Sequence, residues 1–324
     1  MFLYQISASD PVTAMVMTEL RKYAPALEYL HFFKAPGSGA HERMADDIDG
    51  TLGTRTIGSD FATQDFTPGY GDFALQILGK NVRLDSAYEE RATDIPSEMM
   101  LKLKNWALNA GRNFMYYFLD GDSTATDGAT PPVSLHQFNG LRKIIALLVA
   151  DGGSGRIITL GNGAGLQVSL GNSDAARVAQ QKFIEGIDNL IESVDGGADC
   201  LMMDGQLLTR LSTVARDQCA VSLNEFGAKI GDYNGVKIVP TGRKHDGSRI
   251  IPFTETVGAS TDCTSVFAFK SGEKVDLTAM TTGVGLKVYP MEKVGNFYQH
   301  MVQLQMDMAA MTKRCVAKLG GIRL

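Results

Sequence analysis

The sequence predicts a mixed α+β fold assembled from unlike pieces, and three observations carry that prediction. Ile95, Met99, Leu103, Trp106, Ala110, Phe114 and Tyr117 recur at three- and four-residue steps, the spacing of one long helix face. Val302, Leu304, Met306 and Met308 interleave with Gln303, Gln305 and Asp307, the alternation of a half-buried strand. Residues 1–92 follow neither pattern for long.

Taken in order, residues 1–50 read as an arm. Asp10–Pro11 can open a short helix, because proline fits the first helical position. Met15, Leu20, Tyr23 and Leu27 follow at irregular spacing, and then a polar, glycine-bearing stretch shows no core periodicity. Such a segment is expected to lie as a strap on a neighbouring molecule. Residues 51–92 read as a long two-stranded excursion, Phe61–Phe66 and Phe73–Val82, joined by a turn at Pro68, Gly69 and Gly71. A hairpin of that length cannot bury both faces within one subunit and needs a partner surface. The contact candidates are therefore Phe73, Leu75, Ile77 and Lys80, with Glu89, Glu90 and Arg91 at the hairpin's end. The last three read most simply as a solvated strand end; at a contact between copies they could set register. Removing residues 1–40, or placing Asp at 73, 75 and 77 together, is expected to leave a folded monomer.

Asp94 and Pro96 start the long helix at 94–119, and a run of aspartates and glycines stops it. Phe138–Leu148 reads as a short apolar helix and Gly152–Gly165 as a glycine-rich strand and turn. Ser173 caps a helix that ends at Gly196–Gly197. Cys200–Met203 reads as a buried strand, and Asp204 caps the helix after it. Asn234–Gly235 marks a turn into a strand ending at Pro240, and further strands run to the C-terminus.

Composition bounds the function. The chain has 324 residues, 44% hydrophobic and 21% charged, with a formal net charge of −5, which disfavours a dedicated nucleic-acid-binding domain. Cys200, Cys219, Cys263 and Cys315 lack zinc-ligand spacing and read as reduced thiols. No secretory leader and no membrane-length apolar run is present, so a cytoplasmic product is expected. The glycines of Gly161–Gly165 precede a strand-like LQVSL, whereas a dinucleotide fingerprint opens directly onto a helix. The five histidines lack ligand spacing, and Asp120, Asp122 and Asp127 lack the distal glutamate of a calcium loop. No catalytic, cofactor or metal site is expected.

The order of parts (strap, long hairpin, long helix, loop, mixed domain, late return strand) resembles the tailed-phage major capsid proteins of the Hong Kong 97 fold. Gly121–Asp122 and Phe138, Gly140 and Leu141 resemble the family's stretch after its spine helix. Residues 201–217 resemble its lead into the axial-domain helix, and Tyr233, Gly235 and Ile238 match a tyrosine–x–Gly–x–x–Ile strand. The resemblance covers roughly residues 50–324. It implies an N-terminal arm at 1–50, an extended loop at 51–92, a peripheral domain at 93–144 and 283–311, and an axial domain at 145–282 and 312–324. It also implies pentamers and hexamers closing into a virion head around double-stranded DNA, assembled in the host cytoplasm. The short stretch ahead of the arm suggests a separate scaffolding protein, with a portal and decoration proteins as further partners. Two alternatives stay open: the shell of an encapsulin-type nanocompartment, and a cytosolic oxidoreductase using Gly161–Gly165.

Overall fold

The computed structural model describes residues 1–7, 10–37, 39–43, 54–60, 70–90, 94–127, 129, 134–151, 156–161, 163–216, 219–223 and 229–324. Two sheets organise it. In the five-stranded sheet, Phe297–Ala310 is the central strand. Leu277–Val288 and Glu292–Val294 pair with it, Gln76–Asp85 pairs antiparallel with residues 297–306, and Phe32–Lys34 runs parallel to Leu277–Val288. The nine-stranded sheet carries Cys200–Met203, Val236–Pro240, Ser260–Phe269 and Val316–Arg323 at its centre.

The spine helix, Ile95–Asp120, lies against the five-stranded sheet and is about 39 Å long at 1.5 Å per residue. Its inward residues Met99, Leu103, Ala107, Phe114, Met115 and Phe118 share one core with Leu84, Val302, Leu304 and Met306 of the sheet. The alternation read from 302–308 holds on that face: Val302, Leu304, Met306 and Met308 are all buried. Gly111 lets the helix Pro11–Tyr23 cross closely, since a Cβ there would stand 2.9 Å from the Leu20 carbonyl oxygen. The second core lies under helices Asp174–Glu192 and Gly205–Val214, capped by Ser173 and Asp204 as the sequence indicates. Asn234 and Gly235 take φ of 49° and 86°, the left-handed pair a two-residue hairpin turn needs. At the seam between the two bodies, Arg142 joins Asp120 of the spine helix (2.6 Å) to Glu255, which also holds Lys318 at 3.0 Å.

The expectation of an arm without a core is corrected for residues 1–35. Leu3, Val16, Met17, Leu20, Leu27, Leu30 and Phe32 are fully or almost fully buried in the main core. The same segment covers the outer edge of Leu277–Val288. Phe32–Lys34 pairs with residues 279–281, and beyond a break in register the Leu286 and Val288 N–H groups donate to the Ser7 hydroxyl (2.9 Å) and Thr13 hydroxyl (3.2 Å). Hydroxyls here do what another strand would otherwise do. Removing residues 1–40 would therefore take these side chains out of the core, and it is expected to destabilise the subunit and not to leave a folded monomer.

The hairpin is also corrected. Tyr70–Ala74 pairs antiparallel with Gly39–Arg43, from Gly39↔Ala74 to Arg43↔Tyr70, and the expected partner Phe61–Phe66 lies outside the described residues. The single strand read from Phe73 to Val82 is two strands divided at Leu75: one in this ribbon and one, Gln76–Asp85, in the main sheet.

Candidate assembly surface

The seven contact candidates fall into three groups. Phe73 and Leu75 belong to this chain's own packing: Leu75 is buried in a small cluster with Phe33, Ala35, Met280, Ala309 and Met311, and Phe73 packs against it. Leu75 is buried and Phe73 half-buried, so Asp at both positions is expected to disturb the subunit itself. Ile77 and Lys80 are exposed on Gln76–Asp85, and Ile77, at 61%, is among the most exposed large hydrophobic side chains. Glu89 is exposed at the far end of the same strand, where it accepts a hydrogen bond from the Tyr298 hydroxyl and faces Lys293 at 3.6 Å. The hydrogen bond that the Lys293 ammonium donates to the Tyr298 hydroxyl oxygen and the charge of Glu89 hold that ammonium above its ordinary range. Glu90 closes the turn Ser86–Glu90, and Arg91 lies outside the described residues.

Gln76–Asp85 is the strand on which the exposed candidates stand. One edge pairs without a break over ten residues with the central strand; among the described residues the other edge pairs with no strand. In an antiparallel pair alternate residues aim N–H and C=O outward. The Arg83 carbonyl accepts from Lys102 at 3.2 Å on that outer side, so Ile77, Gly79 and Asn81 present theirs outward as well. Gly79 permits the close approach of the paired strand: a Cβ would lie 2.2 Å from the Val302 carbonyl oxygen.

Between this edge and the spine helix runs an open groove of about 870 Å³. Its apolar lining includes Leu78, Trp106, Ala110 and Leu304, with Ile77 at its edge strand. Asn105, Asn109 and Asn113 line the helix side, and Lys80, His136 and His245 stand at the rim. Sequence reading placed Trp106 on the core face and passed over the asparagines. The signal was their four-residue spacing, which sets three carboxamides on one helix face.

Candidate chemistry elsewhere resolves into structural contacts. Gly161–Gly165 is followed by the short strand Leu166–Gln167, with no helix opening on it. Asp120 pairs with Arg142 and Asp122 with Lys143 at 2.9 Å. Among the described residues no group of His, Cys, Asp and Glu is arranged to hold a metal ion, and no helix is long and apolar enough to cross a membrane.

No family model matches the chain, and no curated protein sequence matches it. Solved structures do. The holo-SrpI encapsulin complex from Synechococcus elongatus PCC 7942 aligns over 93% of this chain and 88% of its own, with a TM-score of 0.58 at 13% identity. The capsid of a native GTA particle aligns over 93% and 90%, at TM-score 0.55 and 10% identity. The procapsid of satellite phage P4, including its size determination (Sid) protein, aligns over 96% and 100%, at TM-score 0.51 and 10% identity. The architecture is the Hong Kong 97-like fold of phage capsids and encapsulins, here spanning most of the chain.

Proposed function

We propose that this chain is a shell subunit that assembles with copies of itself into a closed container, and that the container is the head of a tailed bacterial virus. The observation that carries the reading is the fold: proteins named as capsids and an encapsulin share it across at least nine-tenths of this chain. The subunit's surface supports it, with a ten-residue strand edge, an exposed Ile77 beside an open groove, and a two-stranded ribbon leaving the body at Gly39 and Ala74. In a shell each copy is held by several neighbours, so individually weak contacts combine into a stable assembly. On this reading the body built on the five-stranded sheet and spine helix is peripheral, and the nine-stranded body gathers around fivefold and sixfold axes. Ile77, Lys80, Glu89, Glu90 and Arg91 lie at contacts between copies. A scaffolding protein, a portal and enclosed double-stranded DNA complete the set of partners.

The likeness to the encapsulin complex favours a second reading, a nanocompartment shell enclosing a protein cargo. Electron microscopy of the expressed protein, with nuclease treatment of purified native particles, tests both. Closed particles holding nuclease-protected DNA support the viral head; closed particles holding a protein support the compartment. A monodisperse monomer at high concentration contradicts both.

A further inference from the structure

The outward face of the spine helix departs from the charge balance of the rest of the subunit. Lys102, Asn105, Asn109, Arg112 and Tyr116 follow one another at steps of three and four residues, so they form one stripe about 21 Å long. Lys104 is exposed beside the stripe, Lys80 stands at the rim of the groove next to it, and Lys244 lies over the Tyr116 ring at 3.9 Å. Elsewhere Lys143, Lys237, Arg249, Lys293, Lys318 and Arg323 each face a carboxylate at 3.6 Å or less. Among the described residues Lys80, Lys102, Lys104, Arg112 and Lys244 form no such pair. Lys102 donates to the Arg83 carbonyl (3.2 Å) and Arg112 lies over the Tyr23 ring at 5.7 Å, contacts that orient both side chains and leave their charge uncancelled. Two carboxylates stand at the ends of this face: Glu98, one turn ahead of Lys102, and Asp246, beside His245, which accepts from the Ser248 N–H and hydroxyl. A chain with a net charge of −5 thus gathers a row of unmatched cations on one helix face.

The chemistry of the stripe selects the partner. Lysine, arginine, asparagine and tyrosine side chains are the groups that donate to phosphate oxygens, and this stripe consists of them. A nucleic-acid strand carries one negative charge per about 3.4 Å, so the stripe matches about six successive phosphates. An acidic polypeptide would be held chiefly by apolar anchors seated in pockets, and the stripe itself has none. Base edges are read by side chains that enter a groove, whereas a helix face lying on the backbone reads no sequence.

We infer that this face binds the phosphate backbone of nucleic acid without regard to sequence, and that in the shell it is turned to the lumen. The inference rests on the reading of the chain as a viral head subunit, and it names the surface that meets the enclosed DNA.

The test is fluorescence anisotropy of labelled duplexes of unrelated sequence, titrated with dilute subunits of the full chain at two salt concentrations. With five cations on phosphates, affinity should fall about 500-fold between roughly 50 and 200 mM salt, alike for every sequence. Lys80→Gln, Lys102→Gln and Arg112→Gln together remove three contacts at surface positions, and the fall should shrink to about tenfold. Arg177→Gln, Lys182→Gln and Arg216→Gln together change the net charge equally on the other body and should follow wild type. Melting temperatures equal to wild type show that both variants are folded. No duplex binding at the lower salt, or a control variant that loses as much as the first, overturns the inference. Polyglutamate of equal charge bound as tightly as the duplex also overturns it, because the face would then suit an acidic polypeptide. Closed particles from a chain that fails these measurements leave the shell reading standing. Duplex binding by a chain that never forms particles overturns the shell reading and the lumenal placement, and leaves the phosphate contact.

Discussion

Residues 1–35 and residues 39–74 lead the chain together, and both look coreless in sequence, yet the subunit treats them in opposite ways. The first segment is built in. Its helix Pro11–Tyr23 packs across Gly111 of the spine helix, Phe32–Lys34 joins a sheet, and Ser7 and Thr13 close the strand edge that sheet pairing leaves bare. The second segment meets the body at its base, where Phe73 packs beside Leu75, Phe33 and Ala35, and at Glu42, which accepts from the Lys274 ammonium at 2.9 Å; among the described residues Gly39–Arg43 and Tyr70–Ala74 pair with each other and with no strand of the two main sheets. A segment is integral when it brings both an apolar row and polar groups matched to an open backbone edge.

Substitutions can break that contrast, and the largest loss of stability is expected in the first segment. Leu20→Ala removes a buried side chain at the crossing with the spine helix and should cost about 3 kcal/mol by chemical denaturation. Next comes Asp307, where the two segments meet: it stands opposite Met280 in the register, and Met280 belongs to the cluster of Phe33, Ala35 and Leu75. Burial pushes its carboxyl up to about 6, against backbone N–H donors from Met308 and Asn139. The folded state thus holds the proton more tightly than the unfolded state does. Stability is greatest below about pH 4 for this group and falls as pH rises through 6, by roughly 2–3 kcal/mol in total. Asp307→Asn should remove that slope, so that wild type loses ground to the variant between pH 4 and pH 7 in paired melts. Thr13→Ala deletes the hydroxyl that serves the Val288 N–H and should cost about 1 kcal/mol. The smallest effect belongs to the exposed edge: Ile77→Asp should change subunit stability by less than about 0.5 kcal/mol and yet abolish particles in negative-stain images.

Much of the body was legible in the sequence because its elements are regular. The spine helix, the strand Cys200–Met203, the caps Ser173 and Asp204, and the turn Asn234–Gly235 fall where spacing and turn chemistry put them. What was illegible depends on distant partners. Nothing in Gly39–Arg43, whose residues are small or polar, announces a pairing with Tyr70–Ala74. The helix Pro11–Tyr23 has irregular apolar spacing because it packs on the spine helix and on a strand edge reached through hydroxyls. Asp307 sits at a polar position of an alternating strand and is nevertheless buried, with the Met308 and Asn139 backbone N–H groups donating to its carboxyl. The groove escaped notice because it needs two walls: asparagine spacing supplies only one, and the unpaired edge appears only once the sheet is formed.

The central claim, that the ribbon works between copies while the first 35 residues work within one, is tested most directly by replacing residues 44–69 with a short Asn-Gly turn and comparing sedimentation and melting with the full chain. The account predicts that the shortened chain melts at the same temperature and sediments as a single subunit, while the full chain forms closed particles. Normal particles from the shortened chain, or a full chain that remains a lone subunit at high concentration, would contradict it.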